Sequence, residues 1–403
     1  MKTVTDKARI EELLTRSVDT VYPSKDALQQ ALLSGKQLRV YVGIDPTADY
    51  VHLGHSTNYL LLERLHKLGH KIVVLVGDFT AMIGDPSDKT SERVRLTREQ
   101  VEANLKTFKE QIGKILDFND RDNPYEFRFN SEWLSKLTFE QLIDLASNFT
   151  VQHMLERDLF EKRMKEGKPL HVHEFFYPLM QGYDSVALEV DIEIGGTDQT
   201  FNMLAGRTLV KRYLDREKFV ITTTLLTNPL TGEKLMSKSQ GTGVGLNLSP
   251  QEMFGKVMAL ADAGMVQTFV DCTRLSMAEI SAIEKRLKDG ENPKIIKLML
   301  AREVVKMYHG EDAAKASEQS FEKTFAKGGV PDEIAEISVG SDGSLADALV
   351  KAGIVESKTE WRRLIKENAV RTADDVKIDD PNWKPTPGVI LKIGKRRFVK
   401  VLV

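Results

Sequence analysis

The chain has 403 residues, of which 41% are apolar and 29% charged, and its formal net charge is −2. This length predicts two or three domains, and the composition excludes a wholly disordered chain. The near balance of charge excludes a protein that coats nucleic acid along its whole length. A single cysteine, Cys272, excludes an intrachain disulfide and a cysteine-bound zinc, so we expect a cytoplasmic location. We expect neither a secretory signal nor a membrane span.

The first half of the chain alternates strand and helix patterns. Apolar runs predict strands at residues 39–44, 72–76, 125–129, 190–194 and 219–225. Helical spacing of apolar residues predicts helices at 53–68 and 97–116, the second opened by a capping box of Thr97 and Gln100. This alternation is typical of an α/β fold with a doubly wound parallel sheet. A ligand is then expected where the carboxyl ends of the strands meet helix N-termini.

The pattern becomes helical after residue 249. Pro250, a capping box of Ser276 and Glu279, and amphipathic stretches at 278–287 and 294–308 predict a helical domain to about residue 325. The last sixty residues predict a small α/β unit, with helices at 345–351 and 359–368 and strands at 389–393 and 397–403. The sequence thus divides into 1–245, 246–327, a linker at 328–341, and 342–403.

Charge is unevenly divided between these parts. Residues 343–403 contain 13 Lys/Arg and 8 Asp/Glu, a net of +5, which leaves −7 on the remainder. Such a tail is typical of a domain that meets a polyanion, or simply of a solvated surface.

Several common sites are absent from the sequence. It has no GxxxxGK[ST] phosphate loop, and the glycines at 241, 243 and 245 lack the spacing of a nicotinamide site. His171, His173 and Glu174 lack a distant third partner, so we predict no metal site there.

The strongest local motif lies between the first predicted strand and the next helix. His52 and His55 are three residues apart, so they share one face at a helix N-terminus, where unpaired N–H groups favour an anion. Gly54 would let a nucleotide ring or phosphate approach the backbone. By itself this pair is also compatible with simple helix capping and packing.

A second motif follows the last strand of the first half. Lys238 stands between Ser237 and Ser239 in a stretch of small polar residues. A lysine flanked by hydroxyls on a closing loop suits a polyphosphate, although Lys-Ser pairs are common by chance.

Together and in this order, the two motifs resemble the signatures of class I aminoacyl-tRNA synthetases. HLGH at 52–55 corresponds to the first signature and LMSKS at 235–239 to the second. Further blocks resemble the tyrosyl-tRNA synthetase family: YVGIDPT at 41–47, IGDPS at 83–87, YPLMQGYD at 177–184 and GGTDQ at 195–199. The last sixty residues resemble the RNA-binding domain first seen in ribosomal protein S-four. The resemblance covers nearly the whole chain.

The resemblance implies a Rossmann-like catalytic domain that joins tyrosine to ATP and passes it to tRNA. For the substrate tyrosine it implies that the phenol is bound by Tyr41 and Asp184. The α-ammonium would be bound by Asp85, Tyr177 and Gln181, and the carboxylate end by Gln199. For ATP it implies that the triphosphate is bound by Thr47, His52 and His55, and the ribose by Gly196 and Asp198. Gly43, Asp45 and Gly54 would line the rest of the nucleotide cleft, and mobile loops would bring in the cations Lys89, Arg93 and Lys238. It also implies Mg²⁺ with ATP, tRNA(Tyr) as partner, an anticodon-arm role for 246–327, and a homodimer formed through 129–163.

The second signature departs from the usual KMSKS pattern. Leu235 occupies its first position, and Lys234 stands one residue earlier. Three alternatives remain open: a tryptophanyl-tRNA synthetase, a small adenylyltransferase that shares the nucleotide site, and a non-catalytic RNA-binding protein derived from a synthetase. The indole ring lacks the phenol that Tyr41 and Asp184 would bind, and the adenylyltransferases are much shorter.

Overall fold

A computed structural model describes residues 2–86, 96–228, 231–232, 235–236, 243–325, 335–339, 344–373, 376–386, 388–394 and 397–402. The chain divides into two compact units, residues 1–311 and residues 312–403. Over these described ranges, the helices are too short or too polar to cross a bilayer.

The first unit is built around a six-stranded sheet. Its strands, in chain order, are β1 (Val18–Tyr22), β2 (Arg39–Ile44), β3 (Lys71–Val76), β4 (Glu126–Phe129), β5 (Ile192–Gly196) and β6 (Phe219–Thr223). They lie in the order β1-β6-β5-β2-β3-β4, with β2 to β6 parallel and β1 antiparallel to β6. Residues 72–76 of β3 are buried on both faces, as an unbroken apolar run in a parallel sheet requires. The predicted doubly wound α/β fold is confirmed.

Fifteen helices of the described chain belong to this unit, and one more begins at its last residue. The fifteen are α1 (Lys7–Leu13), α2 (Lys25–Leu33), α3 (Leu53–Lys67), α4 (Arg98–Leu105), α5 (Phe108–Gly113), α6 (Ser131–Leu134), α7 (Phe139–Ala146), α8 (Val151–Leu155), α9 (Asp158–Lys165), α10 (Val172–Ala187), α11 (Thr200–Leu214), α12 (Pro250–Met258), α13 (Met265–Cys272), α14 (Met277–Lys288) and α15 (Pro293–His309). The predicted capping boxes open α4 and α14.

The expectation of a single helix at 97–116 is wrong, because the chain forms two helices there, α4 and α5, with a break at Lys106 and Thr107. At the break the Thr107 hydroxyl donates to the Asp49 carbonyl at 3.1 Å. One turn later Gln111 accepts from the Val51 amide at 2.8 Å and donates to Asp49. The break therefore lets this segment hold the loop that leads into α3.

The second unit has a four-stranded sheet and three helices in its described part: α16 (Glu311–Phe325), α17 (Leu345–Lys351), α18 (Lys358–Lys366), β7 (Ala335–Ser338), β8 (Val370–Thr372), β9 (Ile390–Ile393) and β10 (Arg397–Leu402). The strand order is β7-β10-β9-β8. Trp361 of α18 is buried in the core of this unit, and its indole N–H donates to the Pro381 carbonyl at 2.9 Å.

The expectation of a linker at 328–341 is wrong for residues 335–338, which form β7. This strand pairs in parallel with β10, and Ile337 packs into the core. A four-residue strand at a sheet edge is too short to leave a clear periodic pattern. Residues 328–334 and 340–341 lie outside the described residues.

Candidate active site

A pocket of about 500 Å³ opens at the carboxyl ends of β2 and β5. These strands are neighbours, and the chain continues from β2 to β3 on one side and from β5 to β6 on the other. Ligands of doubly wound sheets bind at this switch point. Every described residue of the sequence-predicted site lines it: Tyr41, Gly43, Asp45, Thr47, His52, Gly54, His55, Asp85, Tyr177, Gln181, Asp184, Gly196, Asp198 and Gln199. Their individual roles stay predictions.

The two histidines of the first motif form the N-terminus of α3. His52 is the N-cap, and its backbone N–H donates to Nδ1 of His55 at 3.1 Å. Since Nδ1 of His55 accepts this bond, the neutral ring carries its proton on Nε2. The ring centroids are 3.7 Å apart, so the two rings lie in contact at the helix end.

Gly54 lines the pocket and makes room for the His52 ring. A Cβ on Gly54 would lie 3.0 Å from Cε1 of His52 and 3.4 Å from Cβ of Met236. A side chain at position 54 would therefore meet the His52 ring, and its place beside a nucleotide stays a prediction.

Met236 of the second motif and the segment that follows the motif lie against the first motif. Met236 packs against Gly54, and the Leu53 amide donates to the Val244 carbonyl at 3.0 Å. A bridge also joins His52 to Gly245. The fold thus brings the described parts of the two motifs together, as one shared nucleotide site requires. Lys234 and Lys238, like Lys89 and Arg93, lie outside the described residues.

Asp45 is held where β2 ends. Its carboxylate accepts from the Tyr177 hydroxyl and from the Thr80 hydroxyl, each at 2.8 Å. Gly77 lies so close that a Cβ there would overlap both Asp45 and Thr80. This glycine and Thr80 left no signal in the sequence beyond their place after a strand.

Asp85 and Gln199 meet in the lining of the pocket. The Gln199 amide donates to the Asp85 carboxylate at 2.6 Å, and the Arg157 guanidinium lies 3.4 Å from the other oxygen. Burial lowers the pKa of Arg157, while the nearby Asp85 charge opposes that shift. Sequence reasoning missed Arg157, because an arginine between two short helices has no distinguishing pattern.

Asp184 lies in the pocket wall with only 3% of its surface exposed. Its carboxylate accepts from the Trp133 indole N–H at 2.7 Å and from the Asn130 amide at 3.2 Å. Burial raises the pKa of this carboxyl well above its ordinary value, although the two hydrogen bonds oppose the shift. Trp133 and Asn130, both missed from sequence, therefore fix one oxygen each and orient the carboxylate.

Tyr41 lines the same pocket but does not bond to Asp184. Its hydroxyl lies 3.0 Å from the Ser185 hydroxyl and 3.5 Å from the Gln181 carbonyl. Burial, with the charges of Glu193 and Asp184 beside it, raises the pKa of the Tyr41 phenol, so the hydroxyl keeps its proton at neutral pH.

A fully buried ion pair lies beneath Tyr41 and Gln181. The Lys218 ammonium donates to the Glu193 carboxylate, and the other Glu193 oxygen accepts from the Gln181 amide at 3.1 Å. Asn202 in turn donates to Gln181 at 3.0 Å. Both partners of the pair were missed, although a glutamate inside the apolar strand β5 was a visible signal that it needs a buried partner.

Asp198 follows β5 in a single short turn before α11. A Cβ on Gly196 would lie 2.6 Å from an oxygen of Asp198 and 3.0 Å from Leu225. The glycine therefore lets this carboxylate lie close to the strand end at the pocket rim.

Comparison with known proteins gives one consistent result. Residues 33–326 match the family described as tRNA synthetases class I (W and Y). The chain is 44% identical over 404 residues to a tyrosine–tRNA ligase of Carboxydothermus hydrogenoformans, covering 97% of each chain. It is 43% identical over 391 residues to that of Haemophilus ducreyi, again covering 97% of each.

Solved structures agree in fold. A C-terminally truncated mitochondrial tyrosyl-tRNA synthetase of Aspergillus nidulans has a TM-score of 0.67 and 25% identity, covering 79% of this chain and 94% of its own. A tyrosyl-tRNA synthetase of Archaeoglobus fulgidus, solved with L-tyrosine, has a TM-score of 0.60 at 21% identity. It covers 78% of this chain and all of its own.

Proposed function

The chain belongs to the tyrosine–tRNA ligases, within the class I tRNA synthetases for tyrosine and tryptophan, and we propose that the pocket at β2 and β5 is its active site. The enzyme joins L-tyrosine to ATP, releases pyrophosphate, and passes the tyrosyl group to the terminal ribose of tRNA(Tyr). Its relatives are tyrosine enzymes, so the tryptophan and non-catalytic alternatives are not favoured.

One observation carries the assignment of the amino-acid end of the pocket. Asp184 and Tyr41 place a buried acceptor and a buried hydroxyl in the wall of the pocket that also contains His52 and His55. A phenol both donates and accepts one hydrogen bond, so it satisfies both groups. Phenylalanine would cover both groups without supplying the hydrogen bonds that a phenol offers them, and that costs binding energy.

The α-ammonium is proposed to bind among Asp85, Tyr177 and Gln181, with Gln199 at the carboxylate end. Asp85 and Gln199 are already bonded to each other, and Tyr177 is bonded to Asp45, so this wall is pre-oriented. A rigid wall fixes the substrate carboxylate in line with the α-phosphorus of ATP.

At the nucleotide end, Thr47, His52 and His55 are proposed to bind the triphosphate, and Gly196 with Asp198 the ribose. Gly43, Asp45 and Gly54 complete the cleft, and Lys89, Arg93 and Lys238 are proposed to approach from their loops. The substrate carboxylate is itself the nucleophile and pyrophosphate is the leaving group, so no protein base is required. These residues position the reactants and neutralise charge that develops in the transition state.

Mg²⁺ is proposed to enter with ATP as part of the substrate. The described residues contain no cluster of three or more histidine, cysteine or acidic side chains arranged to hold a metal ion. ATP phosphates are themselves suitable ligands for this ion.

The second unit is proposed to bind tRNA. Arg362, Arg363 and Lys366 of α18 are exposed, whereas Trp361, Leu364 and Ile365 are buried, so the helix presents one basic face. We assign residues 1–245 to catalysis, 246–327 to the anticodon arm, and 342–403, extended by β7, to RNA binding.

A homodimer in the cytoplasm, where tRNA and ATP are found, completes the proposal. Among the described residues, large exposed apolar side chains concentrate between α7 and the start of α10: Phe139, Ile143, Val151, Met164 and Val172. Phe139 is 77% and Val172 73% exposed. Such a concentration on one stretch is typical of a protein interface, and it falls on the expected segment 129–163 and just beyond it.

The test is ATP–pyrophosphate exchange with tyrosine, tryptophan or phenylalanine as the amino acid. We expect exchange with tyrosine and far less with the other two. Equal exchange with tryptophan would contradict the assignment of Tyr41 and Asp184 to a phenol.

A further inference from the structure

We propose that Ser185 is a positioning residue that turns the Tyr41 hydroxyl proton into the pocket, toward the oxygen of the substrate phenol. This inference rests on the proposed function, because it assumes that Tyr41 meets the phenol. Beyond that function, the inference states which group donates in each hydrogen bond behind Tyr41. Selection of tyrosine then depends on Ser185, a side chain that lies behind the pocket lining.

The direction of these hydrogen bonds is set by Lys218, whose side chain is fully buried. An ammonium has three donors and no acceptor. The three protons of Lys218 have three acceptors: the Glu193 carboxylate, the Ser185 hydroxyl at 2.7 Å and the Met203 carbonyl at 3.2 Å. Ser185 must therefore accept from Lys218, and its own proton points elsewhere.

The Ser185 proton has two oxygens within reach. The Tyr41 hydroxyl lies at 3.0 Å and a Glu193 carboxylate oxygen at 3.3 Å. O–H···O bonds weaken as they lengthen beyond about 2.8 Å, so distance favours Tyr41. The Lys218 ammonium also binds the same Glu193 oxygen and offsets its charge.

If Ser185 donates to Tyr41, the Tyr41 proton must point away from Ser185. Apart from Ser185, the Tyr41 hydroxyl lies 3.5 Å from the Gln181 carbonyl, a distance at which little hydrogen-bond energy remains. A phenol oxygen in the pocket would be a better acceptor. The phenol can then receive one hydrogen bond from Tyr41 and give one to Asp184.

The local sequence is adapted to this arrangement. Gly206 of α11 lies directly behind Ser185 and Lys218. A Cβ at this position would lie 2.8 Å from the Ser185 hydroxyl and would overlap the Lys218 ammonium. Gly182 lets α10 approach α11 equally closely, since a Cβ on it would lie 3.1 Å from the Gly206 nitrogen. Two glycines on facing helices thus open the space that Lys218 and Ser185 occupy.

The opposite direction, from Tyr41 to Ser185 to Glu193, makes a different prediction. Tyr41 would then offer only an acceptor and would compete with Asp184 for the single phenol proton. Removing Ser185 would free the Tyr41 proton for the substrate and improve tyrosine selection. The two directions therefore differ in the sign of one measured effect.

The experiment is a double-mutant cycle of Ser185→Ala and Tyr41→Phe, read as the ratio of kcat/KM for tyrosine to that for phenylalanine in ATP–pyrophosphate exchange. Alanine preserves helix propensity in α10. The matched control is Ser317→Ala, which removes a buried helical hydroxyl whose proton goes to the Ala313 carbonyl of its own helix.

We expect Ser185→Ala to lower the ratio about 3- to 10-fold, the range for one neutral hydrogen bond, through the KM for tyrosine and with the KM for ATP unchanged. In the Tyr41→Phe background it should change nothing further, since the hydroxyl it orients is gone. A higher ratio for Ser185→Ala would overturn the proposed direction. The same loss in both backgrounds would show that Ser185 acts by packing and would also overturn the inference.

A different result would mark failure of the proposed function instead. If Tyr41→Phe alone leaves the ratio unchanged, Tyr41 does not meet the phenol, and the positioning role of Ser185 is overturned together with it.

Discussion

His70 is fully buried in the turn between α3 and β3. We expect this burial to make the folded protein less stable in acid. Its Nδ1 accepts the Leu38 amide proton at 3.2 Å, and a ring nitrogen that accepts cannot carry a proton. Burial lowers the pKa of His70 from 6.5 to about 4, and the Asp191 charge only partly opposes this shift. The folded protein therefore keeps His70 neutral over a range where the unfolded chain takes up a proton.

The sign and size of the effect follow from these two pKa values. Between about pH 6.5 and pH 4 the unfolded chain binds more protons than the folded one, so stability falls as pH falls. The neutral ring contributes its full stability above this window and loses it on acidification. The expected loss from His70 is about 2 kcal/mol between pH 7 and pH 5, from the proton linkage of one group.

The substitution His70→Asn isolates this proton. The asparagine Oδ1 can take the place of Nδ1 as the acceptor for Leu38, but it does not titrate. Urea unfolding at pH 7 and pH 5 should show that the native protein loses about 2 kcal/mol more than the variant on acidification. Any packing cost of the substitution is present at both pH values and cancels in the difference. Equal losses in both proteins would show that proton uptake by His70 does not cause the loss of stability.

Three further predictions concern the motif loop, the second unit and the exposed apolar stretch. Lys238→Ala should slow single-turnover adenylate formation about 100-fold with little change in tyrosine affinity, because a loop lysine that reaches the phosphates on closure acts mainly on the transition state. Lys234→Ala should cost less, and equal damage would mean that Lys234 replaces the lysine missing at Leu235. Charge reversal of Arg362 and Arg363 should weaken tRNA charging about tenfold at low salt, less at high salt where ions screen the lost contacts, and leave pyrophosphate exchange unchanged; normal charging at low salt would exclude RNA binding by α18. Phe139→Asp should shift sedimentation from dimer to monomer, and an unchanged dimer would place the interface elsewhere.

The sequence was sufficient for the parts of the fold that follow one local rule. The strand expected at 39–44 has the observed bounds of β2, because its apolar run ends in the polar loop that begins at Asp45. The strand β1 was missed, since Val18–Tyr22 mixes polar and apolar residues and pairs at the sheet edge with a strand two hundred residues away. Long-range pairing of this kind leaves no local pattern.

The candidate site shows the same division. Motif residues such as His52 and Asp184 were found because short blocks of sequence carry them. The groups that orient them were not found: Trp133 reaches Asp184 from another helix, and Lys218 precedes β6. A glutamate inside an apolar strand signals in the sequence that a partner is needed, but only the fold shows that the partner of Glu193 is Lys218.

The kcat/KM for tyrosine of Asp184→Asn in ATP–pyrophosphate exchange measures the proposed contact between the pocket and the substrate phenol. Asparagine keeps the shape and an oxygen for Trp133, but it replaces the phenol acceptor with a weaker, uncharged group. We expect kcat/KM for tyrosine to fall about 10- to 100-fold with the KM for ATP unchanged, the range for a buried hydrogen bond to a charged group. The matched control is Asp78→Asn, whose carboxylate binds the Ser131 amide and hydroxyl outside the pocket lining and should leave both constants unchanged. An Asp184→Asn enzyme with normal kcat/KM for tyrosine would contradict the account.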